Sequence, residues 1–162
     1  MRSSRAALRA ELTRQLVPAL HALGFTGPKT IAGNGLLHEY KRSGEVGAQI
    51  LTLQLEKHGR PRFLLTFCVE PAGGFDRLYT SGGTVAQGRL CPRAGATTRH
   101  WFRVDPPFLR RILRLRSPAA SEVVASCVAL LPEVEAWWQT RASSTHVSVL
   151  MHRFPGKQSG SA

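Results

Sequence analysis

The sequence predicts an α+β fold: an N-terminal helix packed on an antiparallel sheet of about four strands, followed by C-terminal helices. Three observations predict it. Leu8, Leu12, Leu16, Leu20 and Leu23 form a stripe at helical spacing. Two segments, 48–56 and 62–70, alternate apolar and polar residues with the two-residue period of a half-buried strand. The last third then carries proline-initiated apolar stretches of helical period.

The first helix runs from about Arg5 to Leu23, with Pro18 inside it as the expected position of a kink. Gly24 is placed to end it in the left-handed conformation, and Phe25 can then fold back onto the last turn. Pro28 and Gly33-Asn34-Gly35 mark a loop. Leu36 to Arg42 is the first expected strand. Ala48 to Glu56 is the second, with Leu51, Leu53 and Leu55 on one face and Glu56 as an exposed strand-end carboxylate. Arg62 to Glu70 is the third, with Phe63, Leu65, Phe67 and Val69 facing one way. The short link 57–61 makes the last two a hairpin.

Pro71 to Gly83 reads as a glycine-rich loop, and Thr97 to Val104 as a further strand. Asp105-Pro106-Pro107 has the form of a cap followed by first-turn proline, predicting a short helix to about Leu115. Ser117-Pro118 repeats that signal for a longer helix burying Val123, Val124, Cys127, Leu130 and Leu131. Pro132 marks a kink or a fresh start before Val134, Trp137 and Trp138. Thr145 to Phe154 is compatible with strand or helix. Residues 1–154 are expected to form one domain, and 155–162 a disordered tail.

A chain of 162 residues can bury a core without disulfides or metal. Cys68, Cys91 and Cys127 are odd in number and lack C-x-x-C spacing, which argues against a disulfide framework or a zinc site and for a reducing, cytoplasmic setting. No apolar run is long enough for a membrane span. The first sixteen residues share the Arg- and Ser-rich, acid-poor composition of a transit peptide, but their leucine stripe continues into the first helix.

Motifs for chemistry are few. The glycine clusters match neither G-x-x-x-x-G-K-[ST] nor G-x-G-x-x-G and are better explained as turns. The six histidines include no H-E-x-x-H, so no metal or cofactor is expected. Cys91 and His100 are the one pair from which a thiol nucleophile and its base could be assembled, giving a remote Cys-dependent enzyme alternative.

Charge is the distinctive feature. The net charge is +12, and residues 77–116 hold nine arginines against the single Asp105, which places +8 of it there. On the strand reading Arg99, Trp101 and Arg103 share one face, with Arg110, Arg111 and Arg114 on the solvent side of the next helix. A tryptophan flanked by guanidiniums is a stacking platform of the kind used for single-stranded nucleic acid. The competing account is a solvated face, since arginine stems also cover apolar surface.

The stretches Ala22-Leu23-Gly24-Phe25, 37–42 (LHEYKR), 50–57 (ILTLQLEK) and Arg62-Phe63 resemble the family catalogued as domain of unknown function 4304. The similarity spans about residues 8–70. It implies a small α+β protein with no catalytic residues to carry over, and the arginine-rich segment departs from it. The expected function is a non-catalytic binding or interaction module for an unidentified protein partner or polyanion. The alternative is an RNA- or single-stranded-DNA-binding protein that uses the Arg/Trp set.

Overall fold

The computed structural model describes residues 4–31, 35–95, 100–105 and 116–155. The chain is α+β, as expected, but the antiparallel sheet has seven strands rather than about four. The strands are β1 (Thr26–Thr30), β2 (Leu37–Ser43), β3 (Ala48–Leu55), β4 (Arg62–Val69), β5 (Gly83–Leu90), β6 (Phe102–Arg103) and β7 (Val147–Phe154). Their order is β1-β2-β3-β4-β5-β7, with β6 added to the start of β4.

The leucine stripe forms one helical run in three pieces: α1 (Ser4–Glu11), a π-helical turn (Leu12–Leu16) and α2 (Val17–Ala22). Pro18, in the first turn of α2, has no N–H to donate, and the π turn immediately before it closes on a Val17 N–H to Leu12 carbonyl bond. The helix thus widens ahead of the proline. Leu8, Leu12, Leu16 and Leu20 are all buried, and Gly24 ends the run at φ 85°. Phe25 folds back, its N–H bonded to the Leu20 carbonyl.

β2, β3 and β4 lie within a residue of their expected bounds. Their inward residues Tyr40, Leu51, Leu53, Leu55, Phe63, Leu65 and Phe67 form the main core. Against them pack the leucine helix, α4 (Ala120–Ala129) and α5 (Leu131–Thr140). Pro132 stands in the first turn of α5, the fresh start that its ring requires. The cap of α4 is Ala119 rather than Ser117, and the Glu122 carboxylate accepts the Ala119 N–H at 2.8 Å.

Several expectations are corrected. The Pro71–Gly83 stretch is not all loop: α3 (Gly74–Ser81) covers the sheet face opposite the main core, where Leu78 joins Ile50, Cys68 and Val85. Pro28 lies in β1, an outermost strand whose residues are all exposed, where a missing N–H is tolerated. Residues 83–90, read as nothing regular, form β5, and 147–154 resolves as strand. The strand expected over 97–104 is only Phe102–Arg103 among the described residues. Glu56 is buried at 7% exposure, not exposed, because its carboxylate turns in to accept the His58 and Arg60 N–H groups of the β3–β4 link. The helix expected over 106–115, the loop at 33–34 and the tail from 156 lie outside the described residues. No described helix is long and apolar enough to cross a membrane.

Candidate binding cleft and basic corner

The β2–β3 hairpin and the C-terminal end of α5 enclose an open cleft of about 1400 Å³, walled in part by Arg42, Gln49, Glu135, Trp138, Gln139 and Arg141. Antiparallel register explains the hairpin wall: Arg42 stands opposite Gln49 on the core-side face of the sheet. Each of its three guanidinium nitrogens donates a hydrogen bond. Nε donates to Gln49 Oε1 at 2.6 Å, Nη1 to the Leu23 carbonyl at 2.5 Å, and Nη2 to both carboxylate oxygens of Glu135 at 2.9 and 2.8 Å. It also lies over the Phe25 ring, 4.4 Å from the centroid.

Arg141 is placed differently. It follows α5 in the left-handed conformation at φ 56°, the one non-glycine residue with positive φ among those described. Its N–H closes the last turn on the Trp137 carbonyl. Its guanidinium lies 4.8 Å from the Trp137 centroid and 5.7 Å from that of Trp138, the two rings being 5.0 Å apart. Burial holds this guanidinium below the usual arginine range, although the Cys68 thiol opposes the shift. Arg141 Nη1, Trp137 Nε1 and Trp138 Nε1 are shut from solvent without a hydrogen-bond partner. All three are donors. An acceptor is what the cluster lacks.

The arginine-rich segment is placed only in part. Trp101 and Arg103 are described, while Arg99, Arg110, Arg111 and Arg114 lie outside the described residues. Arg103 is tied to Asp105 through Nε and Nη2 at 3.4 and 3.1 Å. Trp101, half-buried, carries a guanidinium the sequence did not point to, that of Arg62, 5.6 Å from its centroid.

Cys91 and His100 are not joined by a hydrogen bond. Cys91 is buried at 2% exposure, and its Sγ approaches the Arg89 carbonyl and the Ser148 hydroxyl, each at 3.7 Å. Burial, and then the charge of Arg89, holds the His100 ring below the usual histidine range. Burial pushes the Cys68 thiol up to about 11 and raises that of Cys127 further. Among the described residues no group of acidic, cysteine and histidine side chains is arranged to hold a metal ion.

Sequence reasoning singled out neither Arg42 nor Arg141. The signal for Arg141 was nevertheless present: Trp137 and Trp138 precede it by four and three residues, which on a helix puts both rings beside it. No protein-family model matches the chain, and no curated protein and no solved structure does.

Proposed function

We propose that the chain is a non-catalytic interaction module whose cleft receives an acidic segment of a partner protein, with Arg141 as the anchoring cation. The observation that carries this reading is the donor-only cluster of Arg141, Trp137 and Trp138, of which Arg141 and Trp138 line the cleft and Trp137 is buried behind them. A guanidinium nitrogen without an acceptor costs about 1–3 kcal/mol, and a left-handed arginine costs about 1–2 kcal/mol more. A partner carboxylate would offset both.

Two further considerations favour this occupant. The cleft is open and larger than the 300–1,000 Å³ usual for small-molecule pockets, so it suits side chains presented on a surface. Arg42 is neutralised by Glu135, which leaves Arg141 as the cation with unused donors beside the tryptophans. The dipole of α5 disfavours an anion at its C-terminal end by about 0.3–1 kcal/mol. A charge-assisted hydrogen bond contributes about 1.5–3 kcal/mol and so dominates.

The test uses a glutamate-rich peptide titrated into the whole chain at low salt, followed by the indole N–H resonances of Trp137 and Trp138. Both should shift and saturate. Arg141→Gly suits the left-handed backbone, so it should fold at least as well while weakening binding by about tenfold or more. Unmoved indole resonances, or equal affinity in Arg141→Gly, would overturn the proposal.

A further inference from the structure

A second cluster of unsatisfied nitrogens lies at the other end of β4, on the other face of the sheet. β4 begins at Arg62, which stands directly opposite Arg103 of β6, and Phe63 stands opposite Phe102 in the next pair. The two phenylalanines are fully buried and stacked with centroids 5.0 Å apart. Strand alternation therefore sends Arg62, Trp101 and Arg103 to the face opposite the main core.

Like charges directly opposite in a ladder repel, so each arginine needs relief. Arg103 has Asp105. Arg62 has no comparable partner. Its Nη2 is 3.8 Å from Glu56 Oε1, an ion pair too long for a hydrogen bond, while the His58 and Arg60 N–H groups bond to the other oxygen, Oε2. Arg62 rests over the Trp101 ring instead, with its Nε shut from solvent and unpartnered.

The same pattern continues along this face. Arg89 of β5 stands opposite Thr66 of β4, and its Nε is also buried and unpartnered. His100, next to Trp101 in the chain and close enough to Arg89 to feel its charge, has a buried, unpartnered Nδ1. Among the described residues no carboxylate forms an ion pair with Arg89 or His100, and Arg62 forms one only with Glu56. One guanidinium thus lies over a half-buried tryptophan, and Arg89 on the neighbouring strand and His100 beside Trp101 in the chain each keep a nitrogen without a partner.

We infer that Arg62, Arg89, His100 and Trp101 form a site for a nucleotide phosphate, with the attached base stacking on Trp101. Donors from the two guanidiniums match the several oxygens of a phosphate, where a carboxylate would leave some unused, and His100 adds one more from whichever ring nitrogen carries the proton. The flat Arg62–Trp101 pair offers the surface an aromatic base requires. A free mononucleotide and a residue of a single strand share this chemistry. This site is separate from the cleft and is read on a different tryptophan, so the two proposals stand or fall independently.

The experiment titrates the whole chain at low salt with inorganic phosphate, adenosine monophosphate and a short oligothymidylate, following the Trp101 indole and His100 ring resonances. Both probes carrying a base should move the two resonances and bind more tightly than phosphate. An affinity for the oligomer that exceeds the monophosphate and falls steeply with salt would identify a single strand as the source, and equal affinities a mononucleotide. Arg89→Gln should weaken all binding by about tenfold or more, whereas Arg153→Gln, which removes the same charge from exposed β7, should not. Trp101→Ala, or Trp101→Leu if alanine impairs folding, should reduce the nucleotides to the affinity of phosphate alone. Static resonances with every probe, equal losses in Arg89→Gln and Arg153→Gln, or no advantage of nucleotide over phosphate would each overturn the inference.

Discussion

Arg42 and Glu135, 93 positions apart in the sequence, meet through two hydrogen bonds of 2.9 and 2.8 Å that tie the β2–β3 hairpin to α5. The pair is partly buried, at 16% and 33% side-chain exposure, so solvent screens it less than a surface ion pair.

Breaking this tie should loosen the cleft's two walls. Glu135→Gln is expected to cost about 1–2 kcal/mol, and Arg42→Met about 2–3 kcal/mol because the Leu23 carbonyl and Gln49 lose their donors too. Denaturant unfolding of both single variants and the double variant should give a favourable coupling of about 1 kcal/mol. Strict additivity would mean that the two side chains contribute separately.

Gly88 should be intolerant of any side chain. It stands opposite Phe67 across the β4–β5 pairing, and an added Cβ would lie 2.0 Å from the Phe67 ring. Gly88→Ala is expected to destabilise by about 1–3 kcal/mol or more through overpacking. Adding Phe67→Leu to Gly88→Ala should cost less than the sum of the two changes, as measured by chemical denaturation.

Glu133 supplies a pH dependence. Burial raises its carboxyl, but the Ser144 hydroxyl, the His146 N–H and the His146 ring all bond to it, and the net effect is a value below the usual carboxylate range. A depressed folded-state value means that this group stabilises above its unfolded value, about 4.3, and that the contribution is lost as pH falls through the lower folded value. Glu133→Gln should therefore lower stability at pH 7 by about 1 kcal/mol, allowing for its partial exposure, with a smaller gap at about pH 3, below the unfolded value. Urea midpoints at the two pH values check this, and a gap undiminished in acid would contradict it.

What was legible in the sequence follows from which interactions are local. The leucine helix, β2, β3, β4 and the break at Pro132 all carry a period or a stop signal within a few residues. β5 did not, because Gly88 looks like a loop residue until Phe67 is seen to occupy the space above it. α3 was hidden by Gly73 and Gly74, whose positive φ angles of 82° and 77° turn the chain into its first turn rather than extend a loop. The sites divide the same way. The Trp101–Arg103 alternation was visible, but Arg62 and Arg89 reach that corner only through strand pairing. Arg141 stands alone among uncharged neighbours, so no run of charge marks it in the sequence.

The unequal ladders of β5 carry a kinetic consequence. β5 meets β4 only around Thr66–Cys68, whereas it meets β7 along its whole length, from Gly83–Phe154 to Leu90–Val147. Its chief partner is therefore the strand that follows both C-terminal helices. The loop between them must close, at an entropic cost, before that ladder begins to form. The β5–β7 ribbon should accordingly assemble after β2–β4 and reopen before them, as one cooperative unit. Its backbone amides would then exchange with solvent together while the hairpin strands stay protected.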